Sequence, residues 1–159
     1  MTFVPTQWGA VLRANGLSAG TQSDPQILGL SNGNVVVVWA DDNDAAAPGG
    51  GVDLVFALFD AEQTLIGGPA QLNDAFDFDD ESQPALAAAP DGGWYMAFLD
   101  AADVDGSTTI RVERYDASGV LTSFGSVPRG PETAVVGSPS IAVDPASGAV
   151  FVSYEIADG

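Results

Sequence analysis

The chemistry open to this sequence is carboxylate chemistry. It holds 22 Asp and Glu residues against 4 basic ones, no His and no Cys, for a net charge of −18. The basic residues are all arginine (Arg13, Arg111, Arg114 and Arg129). The densest acidic stretch is Asn73-Asp-Ala-Phe-Asp-Phe-Asp-Asp-Glu81, with carboxylates at Asp74, Asp77, Asp79, Asp80 and Glu81. In an extended segment Asp77, Asp79 and Glu81 share a face, and carboxylates so close repel one another unless a cation or solvent screens them. Ca²⁺, which takes about 6 to 8 oxygen ligands, is the ion this stretch could hold; a solvated acidic loop is the plain alternative. A second group is Asp100, Asp103 and Asp105, followed by Gly106, with Asp41, Asp42 and Asp44 at the matching place in the preceding repeat. That group has part of the Asp-x-Asp-x-Asp-Gly pattern of a calcium loop but lacks its distal Glu.

The missing residue types exclude more than the present ones assert. Without His or Cys there is no Ser-His-Asp or Cys-His nucleophile system, no ordinary zinc site and no disulfide. Without Lys there is no Schiff base and no phosphate-loop lysine. What remains is carboxylate catalysis and oxygen-ligated metals. A surface this acidic repels nucleic acid and anionic lipid, so neither is an expected partner. No apolar run approaches the roughly 20 residues of a membrane helix. The first residues, Met1-Thr-Phe-Val-Pro5, have no basic and apolar segments of the kind that start a secretory signal.

The elements that must position these carboxylates recur. Ser23 to Trp39 is written again 59 residues later as Ser82 to Phe98, and a third time as Gly137 to Tyr154 with one extra residue in its turn. A fixed period of this size is the mark of a repeat architecture. In each copy a short strand (Gln26 to Leu30 in the first), a turn such as Ser31-Asn-Gly-Asn34 and a second strand (Val35 to Trp39) make a hairpin. The second strand is apolar on both faces, which predicts cover on both sides. So are its counterparts Trp94 to Phe98 and Val150 to Tyr154. After an Asp-rich loop comes a third strand, Val52 to Phe59 or Thr108 to Tyr115, each ending in aromatic-Asp-Ala, and then a fourth around Leu65 or Leu121 to Phe124. In the second copy Ile110 and Val112 alternate with Arg111 and Glu113, as in a half-exposed strand whose charges pair across strands.

The unit is a four-stranded antiparallel meander of about 55 to 60 residues, the form of a β-propeller blade. The fold expected is all-β, with roughly three blades: a lead-in strand within residues 1–22 (Trp8 to Ala14), repeats at 23–81 and 82–136, and a half repeat at 137–159. Closed propellers have about 4 to 8 blades, so the expectation is a chain that continues, copies that associate to complete a ring, or sheets stacked as an open sandwich. Both Asp-rich loops then lie on one rim. Trp39, Trp94, Phe98 and Tyr154, at repeat-equivalent positions, belong to the core rather than to a sugar platform; Trp8 is the better exposed aromatic.

The frame Gln83-Pro84, Asp91-Gly92-Gly93, Phe98, then Tyr115-Asp116-Ala117 and Gly119, with looser copies at Pro25 to Trp39 and Pro139 to Tyr154, resembles a repeat of very large acidic bacterial proteins. These are exported by type I secretion and often carry RTX calcium-binding arrays. The resemblance implies a secreted protein with a C-terminal export signal. The glycine-rich nonapeptide of RTX arrays is absent, so calcium binding does not follow from it.

From the sequence alone the reading is a non-enzymatic secreted module, presenting its loops to a cell surface or glycan and possessing no catalytic residues. The alternative is a glycoside hydrolase of the propeller kind, which needs only two carboxylates roughly 5 to 9.5 Å apart. A third reading takes the acidity as adaptation to high salt.

Overall fold

The computed structural model describes residues 11–16, 19–42, 51–72, 80–101, 108–127 and 135–157. Ten strands follow one another: β1 (Gln22–Gly29), β2 (Val35–Asp41), β3 (Asp53–Phe59), β4 (Leu65–Gln71), β5 (Asp80–Ala88), β6 (Trp94–Ala101), β7 (Thr109–Tyr115), β8 (Leu121–Ser126), β9 (Val135–Val143) and β10 (Val150–Ala157). They form two four-stranded antiparallel sheets, β1-β2-β3-β4 and β5-β6-β7-β8, and a two-stranded sheet of β9 and β10. Each four-stranded sheet is a meander, and Val35 to Trp39 lies in a different sheet from Trp94 to Phe98. The architecture is that of a β-propeller, and the three sheets are called blades 1, 2 and 3 below.

The turns follow from local chemistry. In the first hairpin Gly33 sits at φ 89°, which costs glycine little, and Leu30 N–H donates to Asn34 O at 2.7 Å. The second hairpin repeats it, with Ala89 N–H donating to Gly93 O at 2.9 Å. The shared aromatic-Asp-Ala ending is a turn device. Asp60 Oδ1 accepts from Thr64 N–H at 2.7 Å, and Asp116 Oδ1 accepts from Ser118 and Val120 N–H at 2.8 and 3.0 Å.

Burial follows strand alternation. Val36, Val38 and Ala40 of β2 face the same way as Leu54, Phe56 and Leu58 of β3, and all pack against Trp94, Met96, Phe98 and Tyr115 of blade 2. The opposite face of blade 1 gathers Trp39, Val55, Ala57 and Phe59. On the far side of blade 2, Ala97 and Ile110 pack with Val136, Ile141, Val152 and Tyr154 of blade 3. Neighbouring blades thus remove each other's apolar faces from water, the main favourable term in folding. Trp39, Trp94 and Phe98 are core residues as expected, and Tyr154 is half-buried in the second seam.

Three local expectations change. Within the described residues, Val11 to Gly16 form no strand; Ala14 instead packs on the Trp39 face. β1 begins at Gln22 rather than Gln26, because the chain pairs with β2 across a bulge between Ser23 and Gln26. Finally, Glu113 is not half-exposed but 2% exposed: blade 1 covers the face on which it stands.

Candidate functional site

Of the acidic positions singled out in the sequence, Asp44, Asp74, Asp77, Asp79, Asp103 and Asp105 lie outside the described residues. The others converge on one rim, where β2 and β6 end and β5 begins. The register places Asp41 opposite Asp53 and Asp100 opposite both Glu81 and Thr109. Their side chains serve the protein. Asp41 accepts from Trp39 Nε1–H at 3.2 Å and from Gln22 Nε2–H at 3.3 Å, and Gln71 Nε2–H donates to Asp53 Oδ1 at 2.6 Å. Asp42 accepts from Thr21 N–H, and Asp80 accepts from Val52 N–H at 2.9 Å. Asp100 is ion-paired with Arg111 at 3.3 Å, and Glu81 is fully buried. Among the described residues no three carboxylates form a group able to hold a metal ion. Asp41 and Asp100 are thus fixed by protein donors, as buried carboxylates must be.

Below this rim, between blades 1 and 2, the face carrying Arg111 also carries Glu113 and Tyr115. The Tyr115 hydroxyl donates to Glu113, and its ring stacks on Trp94 with centroids 4.3 Å apart. Burial, then the negative charge of Glu113, pushes the Tyr115 phenol well above its ordinary range. This group is structural, since it sits inside the seam.

The residues that sequence reasoning missed lie at the axis. The first strands β1, β5 and β9 are neighbours there. In each, the residue before a proline takes positive φ: Asp24 at 50°, Gln83 at 55° and Ser138 at 50°. Non-glycine residues held there cost about 1–3 kcal/mol each and persist only where their surroundings impose them. The imposing contacts run from blade to blade. Gln83 N–H donates to Asp24 Oδ2 at 3.3 Å, and Ser138 N–H donates to Gln83 Oε1 at 2.7 Å. One side chain therefore caps the bulge of the next blade, and the step repeats. The signal was present in the sequence as the repeated X-Pro of Asp24-Pro25, Gln83-Pro84 and Ser138-Pro139, which reads as a turn until the strands are aligned.

A cleft of about 630 Å³ opens beside this ladder between blades 2 and 3. Its polar wall is Gln83, Thr108, Ser138 and Glu155, and Leu99, Val136 and Ile156 form its apolar floor. A hydroxyl-rich ligand finds both donors and acceptors there. On the opposite rim a smaller cleft of about 320 Å³ contains Asp91, Tyr95 and Arg114. Arg114 already pairs with Asp91 and lies over the Tyr95 ring at 5.6 Å. The backbone N–H of Gly93, with the Arg114 charge, holds the Asp91 carboxyl below its ordinary value.

No family model matches the chain, and no curated protein matches it. Solved structures do. The chain is similar to the alpha-L-arabinanase of Penicillium chrysogenum complexed with arabinobiose, with a TM-score of 0.62 and 15% identity over 88% of this chain and 40% of that one. It is also similar to the endo-arabinase of Bacteroides thetaiotaomicron VPI-5482, with a TM-score of 0.59 and 16% identity over 91% of this chain and 54% of that one. The chain spans about half the length of these structures or less. The reading as a non-enzymatic adhesion module that is no enzyme does not survive this finding, because both neighbours are arabinanases. The neighbours favour instead the alternative, a propeller glycoside hydrolase using a carboxylate pair. The lack of His, Lys and Cys removes most catalytic machinery but not the kind that runs on carboxylates alone.

Proposed function

We propose that this chain belongs to a glycoside hydrolase that works on an arabinan-like polysaccharide laid across the axial mouth of the propeller. The observation that carries the reading is the placement of Asp24. Of the three equivalent axial positions held at positive φ, it alone bears a carboxylate, and it does so at the mouth of a fold shared with two arabinanases. Hydrolysis of a glycosidic bond needs one carboxyl group to protonate the leaving oxygen and a second to attack the sugar or to activate water. Asp24 is one of the pair. Glu155, on the wall of the cleft that also holds Gln83 and Ser138 of the axial ladder, is the carboxylate we assign as its partner. Gln83, Thr108 and Ser138 between them offer the hydrogen bonds that would hold sugar hydroxyls.

The test is reducing-sugar release from linear arabinan by the purified chain. Asp24→Asn and Glu155→Gln each lower the rate by about 10²-fold or more, as loss of an acid or base group does, with the far-ultraviolet circular dichroism unchanged. Glu62→Gln, in an exposed turn on the opposite rim, leaves the rate as it was. Absence of hydrolysis on arabinan and arabino-oligosaccharides, or a rate indifferent to both axial replacements, overturns the reading.

A further inference from the structure

The repeat supplies its own control for the smaller cleft, the one on the rim opposite the axial opening. Strand register pairs Val36 with Leu58 in blade 1 and, at the same place in blade 2, Tyr95 with Arg114. Both rows face the following blade. Val36 and Leu58 pack towards blade 2, and Ala97 and Ile110, which alternation puts on the same face as Tyr95 and Arg114, pack towards blade 3. In the first seam the row is dry, with Val36 0% and Leu58 2% exposed. In the second seam it is an aromatic ring and a cation, and a cleft of about 320 Å³ lies between the blades there. A charge where the preceding repeat packs a leucine breaks the local pattern, and natural sequences break their pattern chiefly at functional sites.

The polar groups of this cleft are fixed before any ligand arrives. Arg114 Nη1–H donates to Thr122 Oγ1 at 3.1 Å, Nη2 pairs with Asp91, and the guanidinium lies over the Tyr95 ring. Among the described residues these bonds use two of its five N–H donors. Asp91 Oδ1 accepts from Gly93 N–H at 3.2 Å, yet the side chain stays 61% exposed. In the first hairpin Asn32 Oδ1 does the same for Asn34 N–H at 3.0 Å, so the turn needs an acceptor oxygen and no charge. The facing wall is the β9–β10 turn, held by the Ser147 hydroxyl donating to Asp144 at 2.5 Å, with Pro90 and Pro145 adding apolar surface. A carboxylate beside a guanidinium complements neighbouring hydroxyls: one donates to Asp91 while the next accepts from Arg114, and the C–H face of a sugar ring rests on the prolines and Tyr95. The two charges cancel and the chain carries −18, so an anion gains nothing here, while a bare cation meets a single carboxylate.

We propose that this cleft binds a short stretch of a neutral glycan, held by Asp91 and Arg114 through adjacent sugar hydroxyls. The site needs no hydrolysis at the axis, so it stands or falls separately from the activity proposed above.

Titration of the isotope-labelled full chain with arabinotriose, xylotriose and cellotriose, followed by heteronuclear NMR, tests this residue by residue. At least one of the three shifts the Gly93 and Ser147 amides and the Arg114 Nε–H saturably at millimolar concentration. Those shifts persist in Asp24→Asn, which replaces the axial carboxylate, while the Gly137 and Ser138 amides report on the axial cleft. Asp91→Asn keeps the turn acceptor, as Asn32 shows, and weakens binding at the rim by about tenfold or more, the loss expected for a hydrogen bond to a charged group. Arg114→Gln does the same. Trigalacturonate, the acidic counterpart, leaves the rim resonances where they were. Rim resonances that none of the neutral sugars moves, shifts reproduced by glycerol at the same hydroxyl concentration, trigalacturonate bound as tightly, or an unchanged affinity in folded Asp91→Asn each overturn the proposal.

Discussion

Replacing Tyr115 by phenylalanine removes a single oxygen from the seam between blades 1 and 2 and keeps the ring that stacks on Trp94. The lost group is the hydroxyl that donates to Glu113, a carboxylate 2% exposed. Its second acceptor, Leu72 O at 3.4 Å, is too distant to add much. A hydrogen bond to a charged group contributes about 1.5–3 kcal/mol, and Arg111, whose Nη2 lies 3.9 Å from Glu113, offsets little of its loss at that range. Tyr115→Phe therefore costs about 2 kcal/mol at neutral pH, or about 4–8 °C in Tm for a chain of this size. The alkaline limb gives a second, independent reading. The phenol is raised in the folded state by burial and by Glu113, so above the ordinary tyrosine value of about 10 the unfolded chain releases a proton that the folded one keeps. Stability then falls with rising pH by up to about 1.4 kcal/mol per pH unit from this one group. Tyr115→Phe lacks that contribution, so its curve is flatter and the two proteins converge as pH rises past 10. Urea unfolding followed by tryptophan fluorescence at pH 7, 9, 10 and 11 measures both effects. A variant within about 0.5 kcal/mol of the parent at pH 7, or one with the same alkaline slope, refutes the buried Tyr115–Glu113 bond.

Two further outcomes follow from the packing and the turns. An added Cβ at Gly93 would lie 2.4 Å from Tyr115 O, a backbone atom that cannot swing aside, so Gly93→Ala lowers stability by about 1–3 kcal/mol in the same urea experiment. The Asp91 carboxyl is held below its ordinary value of 3.8 by Gly93 N–H and Arg114, and that of Asp144 by the Ser147 hydroxyl and Ala146 N–H. Their contributions are complete above the ordinary carboxylate value and vanish as pH falls through the lowered folded values. Asp91→Asn and Asp144→Asn thus narrow the stability gap between pH 6 and pH 2.5, an effect read from Tm against pH; a gap as wide as the parent's counts against these bonds.

Much of the architecture is legible in the residues because it depends on alternation and turn chemistry, which are local. Doubly apolar runs such as Val35 to Trp39 and Trp94 to Phe98 need cover on both faces whatever supplies it, and stacked blades supply it. Asp60 and Asp116 stand where a turn needs an acceptor, so the aromatic-Asp-Ala ending marks the same corner in both copies. Position along a strand also settles that Asp41 and Asp100 share a rim. The fate of a carboxylate on that rim is another matter. Asp41 and Asp100 turn inward to Trp39 and Arg111, and Glu113 vanishes beneath a neighbouring blade. The partners come from other strands, and a sequence does not say which strand arrives. The axial ladder is the extreme case. Asp24, Gln83 and Ser138 read as three turn residues before three prolines, and only stacking brings each within hydrogen-bond reach of the next across 55 to 59 residues of chain. Composition and period determine that this protein is a fan of β-blades rich in carboxylates. Which carboxylate faces the axis was decided by tertiary structure, because facing is a relation between blades and no single blade contains it.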